Sequence, residues 1–232
     1  MATAAIGIIC KAPKSGESKT RLIPRLGPER AAALARAFLI DLSRSIEEAA
    51  AAVGCAGYAV CSPESAAAEL AAFLPPSFGY IVETDRDLGR VLDGATNELL
   101  ARGHESAILV NGDSPTLPAA LLIETVRALR EPGAHAVFVP ALDGGYSIVG
   151  LRRSTPEIFA DIPWSTPTVM LRSLEQAERH RIPVKVLSPW YDIDDSGSLD
   201  WLLAELCGKR PPRLVHEGAE APATREVLGL EA

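Results

Sequence analysis

Short apolar runs alternate with longer stretches of helical periodicity along most of this chain, and that alternation limits the folds open to it. The runs "AAIGIIC", "AGYAVCS", "FGYIVETD", "SAILVNGD" and "AHAVFVP" have the length and apolar continuity of strands covered on both faces. Between them, "GPERAAALARAFLIDLSRSIEEAA" opens on Gly27-Pro28 and places Leu34, Phe38, Leu42 and Ile46 four apart, one face of a helix. Further helices are expected over "PESAAAELAAFL", "DLGRVLDGATNELLARG", "LPAALLIETVRALR" from near Pro118, "TPTVMLRSLEQAERH" and "SLDWLLAEL". "YSIVGL" and part of "PVKVLSPWYDIDD" add two strands. Repeated strand–helix units predict an α/β domain with a mainly parallel sheet covered on both faces.

The 232 residues suit one medium domain with a real core. It is expected to span 1–208. The Pro-, Ala- and charge-rich stretch 209–232 is expected to be a loosely packed or partly disordered tail. A net charge of −7 argues against a nucleic-acid partner. No apolar run approaches the ~20 residues of a membrane span. "MATAAIGIICK" lacks the basic start and cleavage site of a signal peptide, so a cytoplasmic location is expected. Cys10, Cys55, Cys61 and Cys207 form no CxxC pair, and the four histidines are scattered. Reduced thiols are therefore expected and a zinc site is disfavoured. Oligomeric state is left open.

In open α/β sheets, ligands lie beyond the carboxyl ends of the strands, and four polar clusters fall at such exits. "CKAPKSGESKTRL" (10–22) follows the first strand. Gly16 permits close backbone approach, and Lys14, Lys19 and Arg21 supply positive charge for a phosphate. Its spacing matches neither a Walker A loop nor a G-x-G-x-x-G fingerprint. Asp113 ends "AILVNGD". Asp192 and Asp194 are two apart in "WYDID", so an extended backbone points both to one side, with Asp195 free to cap the next helix with Ser196 or Ser198. Three carboxylates without sulfur or imidazole favour Mg²⁺ or Mn²⁺. "DGGY" (Asp143, Gly144, Gly145, Tyr146) is either a hairpin turn or room for a ligand. "PWSTP" offers Trp164, Ser165 and Thr166, either as a pocket wall or as a cap for a helix starting at Pro167. Each cluster alone can be an ordinary solvated loop or Asx-type turn.

Taken in order, "KAPKSGESKTRL", "NGDSPTLP", "PALDGGYSIVGL", "DIPWST" and "YDIDDSGSLDWL" resemble a bacterial family of glycosyltransferase-A-like proteins. That family is often labelled nucleotide-diphospho-sugar transferase, and some members are associated with arsenosugar biosynthesis. The chain is more distantly similar to 2-phospho-lactate guanylyltransferases, which share the Lys19-Thr20-Arg21-Leu22 element. The resemblance implies a single Rossmann-like nucleotide-diphospho-sugar transferase (glycosyltransferase A) domain with a mixed, mostly parallel sheet. It implies an enzyme with Lys19, Arg21 and Asp113 in catalytic roles and Asp113, Asp192 and Asp194 on the metal. Nucleotide contacts are implied for Ala12, Pro13, Lys14, Gly16, Lys19, Arg21, Leu88 and Gly89. Asp143–Tyr146 and Trp164–Thr166 would line the sugar or acceptor pocket. Many relatives carry Cys where Ser114 stands and a Thr-Pro-Glu-Asp-like run where 195–198 stands, which puts the cap of the last helix in question. The expected partners are a nucleotide sugar and a small-molecule acceptor. The alternative is nucleotidyl transfer from a nucleoside triphosphate to a phosphorylated acid or sugar phosphate. A third reading is a nucleotide-binding protein whose site no longer turns over.

Overall fold

The computed structural model describes residues 4–211 and 213–230. Among them are the strands β1 (Ala4–Cys10), β2 (Cys55–Cys61), β3 (Gly79–Val82), β4 (Ser106–Asn111), β5 (Ala136–Pro140), β6 (Tyr146–Leu151) and β7 (Val184–Val186). The α-helices are α1 (Ile23–Leu26), α2 (Pro28–Val53), α3 (Ser65–Ala71), α4 (Leu88–Ala101), α5 (Ala119–Arg130), α6 (Val169–Arg179), α7 (Ser196–Leu206) and α8 (Pro222–Leu228). One sheet runs in the order β3-β2-β1-β4-β6-β5-β7. β6 is antiparallel to both of its neighbours and the other pairings are parallel. The short "ALDGG" connection explains the exception, because a parallel pair would need a long crossover.

Side chains alternate across each strand and so feed two cores. Ile6, Ile8, Ile108 and Val110 meet α2 and α5 on one face. Ala5, Ala107, Leu109 and Val149 meet Leu92 and Leu99 of α4, together with Ile158 and Phe159, on the other. Leu34, Phe38, Leu42 and Ile46 are all 0% exposed, so the four-residue spacing does mark the buried face of α2. Truncating one of them to Ala would cost about 2–5 kcal/mol.

Two local expectations change. α6 begins at Val169 with Thr168 as its N-cap residue, not at Pro167 behind Ser165 or Thr166. Ser165 adopts a left-handed backbone, φ 62°, and the Thr166 hydroxyl donates to the Pro163 carbonyl at 2.7 Å, so neither caps α6. The chain beyond Gly208, expected to be loosely packed, is docked from Leu214 to Leu228. Leu214 and Ala221 are buried, α8 packs on α2, and the Ala219 amide donates to the Thr116 carbonyl at 2.9 Å. Met1–Thr3 and, within the expected tail, Pro212, Glu231 and Ala232 lie outside the described residues. No described helix is long and apolar enough to cross a membrane.

The fold therefore brings the carboxyl ends of β1, β4 and β5, and the start of the reversed β6, to one edge of the sheet. The clusters at 10–22, 111–118 and 143–146 leave the sheet there, and Trp190, just before the 191–195 cluster, bridges to Ala141 beyond β5.

Candidate functional site

The loop after β1 closes first on itself. Lys14 donates its amide to Ser18 Oγ at 2.9 Å, and the Glu17 and Ser18 amides return to the Lys14 carbonyl. Gly16 supplies the left-handed turn, φ 79°. Ala12 is buried, Pro13 half-buried, and Lys14 and Gly16 are exposed. The Lys14 ammonium lies 3.9 Å from Glu69.

Lys19 then turns inward. Its backbone is left-handed, φ 49°, and its side chain is 7% exposed. Nζ lies 2.9 Å from the Asp113 carboxylate and 3.2 Å from that of Asp194, and it also donates to the Ile193 carbonyl. Arg21 stays exposed, close enough for its charge to act on Asp195.

The two acidic segments are tied together by their own backbone. Asp113 follows Gly112, where a Cβ would stand 2.9 Å from the Leu39 side chain and 3.1 Å from the Ile9 carbonyl. That space admits only glycine without a shift. The Ile193 amide donates to the Asp113 carbonyl at 3.0 Å. Ser114, which is buried, donates from Oγ to the Tyr191 carbonyl at 2.8 Å and lies 2.8 Å from Asn111 Oδ1. The one hydroxyl proton thus lies between two acceptors. Tyr191 and Ile193 are buried, and the period of two sends Asp192 and Asp194 to the opposite side. Asp195 caps α7 in a reciprocal box with Ser198, which answers the question the unusual 195–198 run raised. The Ser198 N–H holds the Asp195 carboxyl below its ordinary value.

Negative charge is concentrated here. Burial pushes the Asp192 carboxyl up to about 7, with Asp143, Asp194 and Asp113 adding repulsion. Asp113 and Asp194 have Lys19 between them. Among the described residues, no three His, Cys, Asp or Glu side chains form a group that could hold a metal ion as they stand.

A second neighbourhood adjoins through Asp143. Its carboxylate accepts from the Gly145 amide at 2.8 Å, an Asx turn. Gly144 has φ 96°, and a Cβ there would come within 2.1 Å of the Pro167 carbonyl oxygen. The Met170 amide donates to the Gly144 carbonyl at 2.9 Å, so this turn and the loop before α6 are one unit. Tyr146 packs edge-on to Trp164 with centroids 6.3 Å apart and tilts against Phe138 at 5.1 Å. Gly89 completes the group, since a Cβ there would lie 3.3 Å from the Trp164 ring and 2.8 Å from the Phe159 carbonyl. Asp87 caps α4 through the Arg90 amide. Leu88, Ser165 and Thr166 are exposed.

The residues expected to act together thus fall into two adjoining groups. Lys19, Asp113, Asp192 and Asp194 form one. Gly89, Asp143–Tyr146 and Trp164 form the other. Lys14, Gly16 and Arg21 stand outside both. Ser114, Asn111 and Tyr191 were not among the expected site residues, yet they fix the register of the acidic segments.

The fold has close parallels among solved structures. A candidate nucleotide-diphospho-sugar transferase from Desulfovibrio desulfuricans G20 aligns over 99% of this chain and 96% of its own, with TM-score 0.79 and 23% identity. A cytidylyltransferase from Leptospira borgpetersenii serovar Hardjo-bovis (strain JB197) aligns over 99% and 93%, with TM-score 0.57 and 11% identity. CMP:2-keto-3-deoxy-manno-octonic acid synthetase complexed with CTP aligns over 88% and 98%, with TM-score 0.54 and 13% identity. At these identities the likeness establishes a shared fold and no more. Comparison with curated proteins gives no match. The sequence profile of DUF2064, described as uncharacterized protein conserved in bacteria, matches residues 45–166. That stretch contains Asp113, Asp143–Tyr146 and Trp164, whereas Lys19, Asp192 and Asp194 lie outside it. Because the match takes in more than half of its length, the chain belongs to the DUF2064 family.

Proposed function

We propose that this chain is a metal-dependent transferase that takes a nucleotide-diphospho-sugar and passes the sugar to a small-molecule acceptor. The observation that carries the reading is the meeting of Lys19, Asp113 and Asp194 at the carboxyl edge of a nucleotide-transferase fold, with Asp192 beside them. The donor set is all oxygen and too negative to stand alone, which suits Mg²⁺ or Mn²⁺. Asp113, Asp192 and Asp194 would hold the ion. When bound, it neutralises the charge on the donor diphosphate. Lys19 and the exposed Arg21 bind phosphate oxygens, with Lys14 and the Gly16 turn at the rim beside Ala12 and Pro13. Leu88 and Gly89 approach the nucleotide. Asp143–Tyr146 with Trp164, Ser165 and Thr166 form the wall against which the sugar or acceptor is oriented, and orientation is a large part of transfer catalysis. The whole site is assigned to the expected domain 1–208, and in the segment that follows Ala219 and α8 contact Thr116 and α2.

Nucleotidyl transfer is the second reading, favoured by the Lys19-Thr20-Arg21 element. Products separate the two. Glycosyl transfer releases a nucleoside diphosphate, and nucleotidyl transfer from a triphosphate releases pyrophosphate. A panel of sugar nucleotides and triphosphates with Mn²⁺ should give metal-dependent binding by thermal shift and one of these two products. Neither binding nor product at millimolar ligand would sink both readings.

A further inference from the structure

Lys19 is firmly anchored in the site, but not to phosphates: it holds two carboxylates that the functional reading gives to a metal. Its Nζ sits 2.9 Å and 3.2 Å from Asp113 and Asp194 and also meets the Ile193 carbonyl. Those are ammonium distances. Divalent ions draw oxygens to roughly 2.0–2.6 Å. The aromatic face of Phe38, 5.6 Å from Nζ, adds a cation–π contact.

We propose that Lys19 and the divalent cation compete for Asp113 and Asp194, so that the metal-free site is held by an internal cation that must leave when the metal enters. The inference rests on the metal-dependent reading above. Two positive charges cannot share this cradle, and a Lys with 7% exposure cannot lose both counter-ions and remain in place, because an unpaired buried charge is heavily penalised. Lys19 has somewhere to go. It follows the exposed Lys14–Ser18 turn and carries a left-handed backbone that a non-glycine residue adopts only when held there. Released from the carboxylates, its ammonium would turn toward solvent near Arg21, exposed two residues on, where phosphate oxygens would receive it. Lys19 thus serves two anions in turn, the aspartates first and the donor phosphates after metal loading.

The test is Mn²⁺ binding to the full chain without nucleotide, followed by the electron paramagnetic resonance signal of free Mn²⁺. Lys19→Met should bind Mn²⁺ about tenfold more tightly than the unaltered protein, within the range of ordinary coupled binding. Arg25→Met is the control for general charge. Arg25 pairs with Asp200 at 2.7 Å and touches no site carboxylate, so its loss should change Mn²⁺ affinity by less than about twofold. The unaltered protein provides an independent arm. Saturating Mn²⁺ should raise acetylation of Lys19 by acetic anhydride, read by mass spectrometry, and this arm decides if Lys19→Met does not fold. Equal or weaker Mn²⁺ binding by Lys19→Met, or Lys19 acetylation unmoved at full Mn²⁺ occupancy, overturns the competition and leaves the metal reading standing. Failure of every variant to bind millimolar Mn²⁺ overturns the metal reading itself and this inference with it.

Discussion

Asp41, in the middle of α2, accepts the backbone amide of Thr224 at 2.7 Å, across 183 positions of chain. Its other oxygen takes the Ala223 amide at 3.0 Å, and Arg44 pairs with it from the same helix at 3.0 Å. The carboxylate thereby satisfies two N–H groups of the first turn of α8, which would otherwise lack acceptors. It is 1% exposed, so no water replaces it readily.

Asp41→Ala should therefore cost about 1–3 kcal/mol, the scale of leaving buried donors unsatisfied. Urea denaturation measures it. Limited proteolysis should show cleavage after Arg225 or Arg213 appearing at lower protease concentration than in the unaltered chain. A change below about 0.5 kcal/mol with unchanged proteolysis would show that α8 docks by apolar contact alone.

Gly144 supports a sharper contrast. A methyl group there meets the Pro167 carbonyl oxygen at 2.1 Å with φ at 96°, so Gly144→Ala has both a backbone and a contact penalty. Gly16→Ala carries a similar φ of 79° but has nothing within 4 Å of the new Cβ. Gly16→Ala should cost about 1 kcal/mol, and Gly144→Ala about 2–4 kcal/mol. Near-UV circular dichroism should change only in the second, because Trp164 and Tyr146 sit on the displaced loop. Equal stabilities for the two variants would count against the packing described for the Asp143–Tyr146 turn.

Much of the layout is legible in the sequence, for identifiable reasons. Strand and helix periodicity is local, so the elements emerged with their buried faces, as at Leu34, Phe38, Leu42 and Ile46. The rule that ligands gather beyond strand carboxyl ends placed Asp113 and Asp192–Asp194 at the same edge. What failed to show was everything that depends on distant pairs. Nothing in "PATREVL" announces a helix capped by Asp41. Nor does the sequence reveal that Lys19 faces acids 94 and 175 positions away in preference to open solvent. Ser114 reads as an ordinary loop serine, because its value lies in its burial and in the Tyr191 carbonyl it meets.

His135 gives a pH test away from the site. It is buried and lies 2.6 Å from Thr155 Oγ1, whose proton goes to the Arg153 carbonyl. Arg153 Nη2 lies 2.9 Å from His135 Nδ1. Arg153 Nε also donates to Nε2 at 3.1 Å, so guanidinium donors face both ring nitrogens, and a second ring proton would displace one of them. Burial first, and the Arg153 charge second, hold its pKa below the ordinary 6.5. The unfolded chain therefore takes up the proton first as pH falls, and the folded state loses stability below about pH 6.5. His135→Gln removes that titration. The stability difference between the two proteins should be constant above about pH 7 and shrink steadily from about pH 6.5 downward. A difference that stays flat to about pH 5 would mean that His135 protonates freely in the fold.

Ser114 is where stability and site geometry can be separated. Its hydroxyl bonds to the Tyr191 carbonyl, and the Asp113 carbonyl accepts from Ile193, so two ties set the spacing between Asp113 and the Asp192–Asp194 pair. Ser114→Ala removes one tie and leaves a buried carbonyl short of a donor, at about 1–2 kcal/mol. Tyr191 keeps its lower anchor, since its hydroxyl donates to Glu205 at 2.5 Å, so the segment should loosen near the acids without detaching. Mn²⁺ affinity should then fall by about tenfold, the low end of the loss seen when residues behind metal ligands are altered. Ser114→Cys restores a weak donor of nearly the same size, and should recover part of both losses. Urea denaturation and Mn²⁺ titration on the same samples decide the matter. If Ser114→Ala loses stability while Mn²⁺ affinity is untouched, Ser114 holds the fold and has no part in spacing the carboxylates.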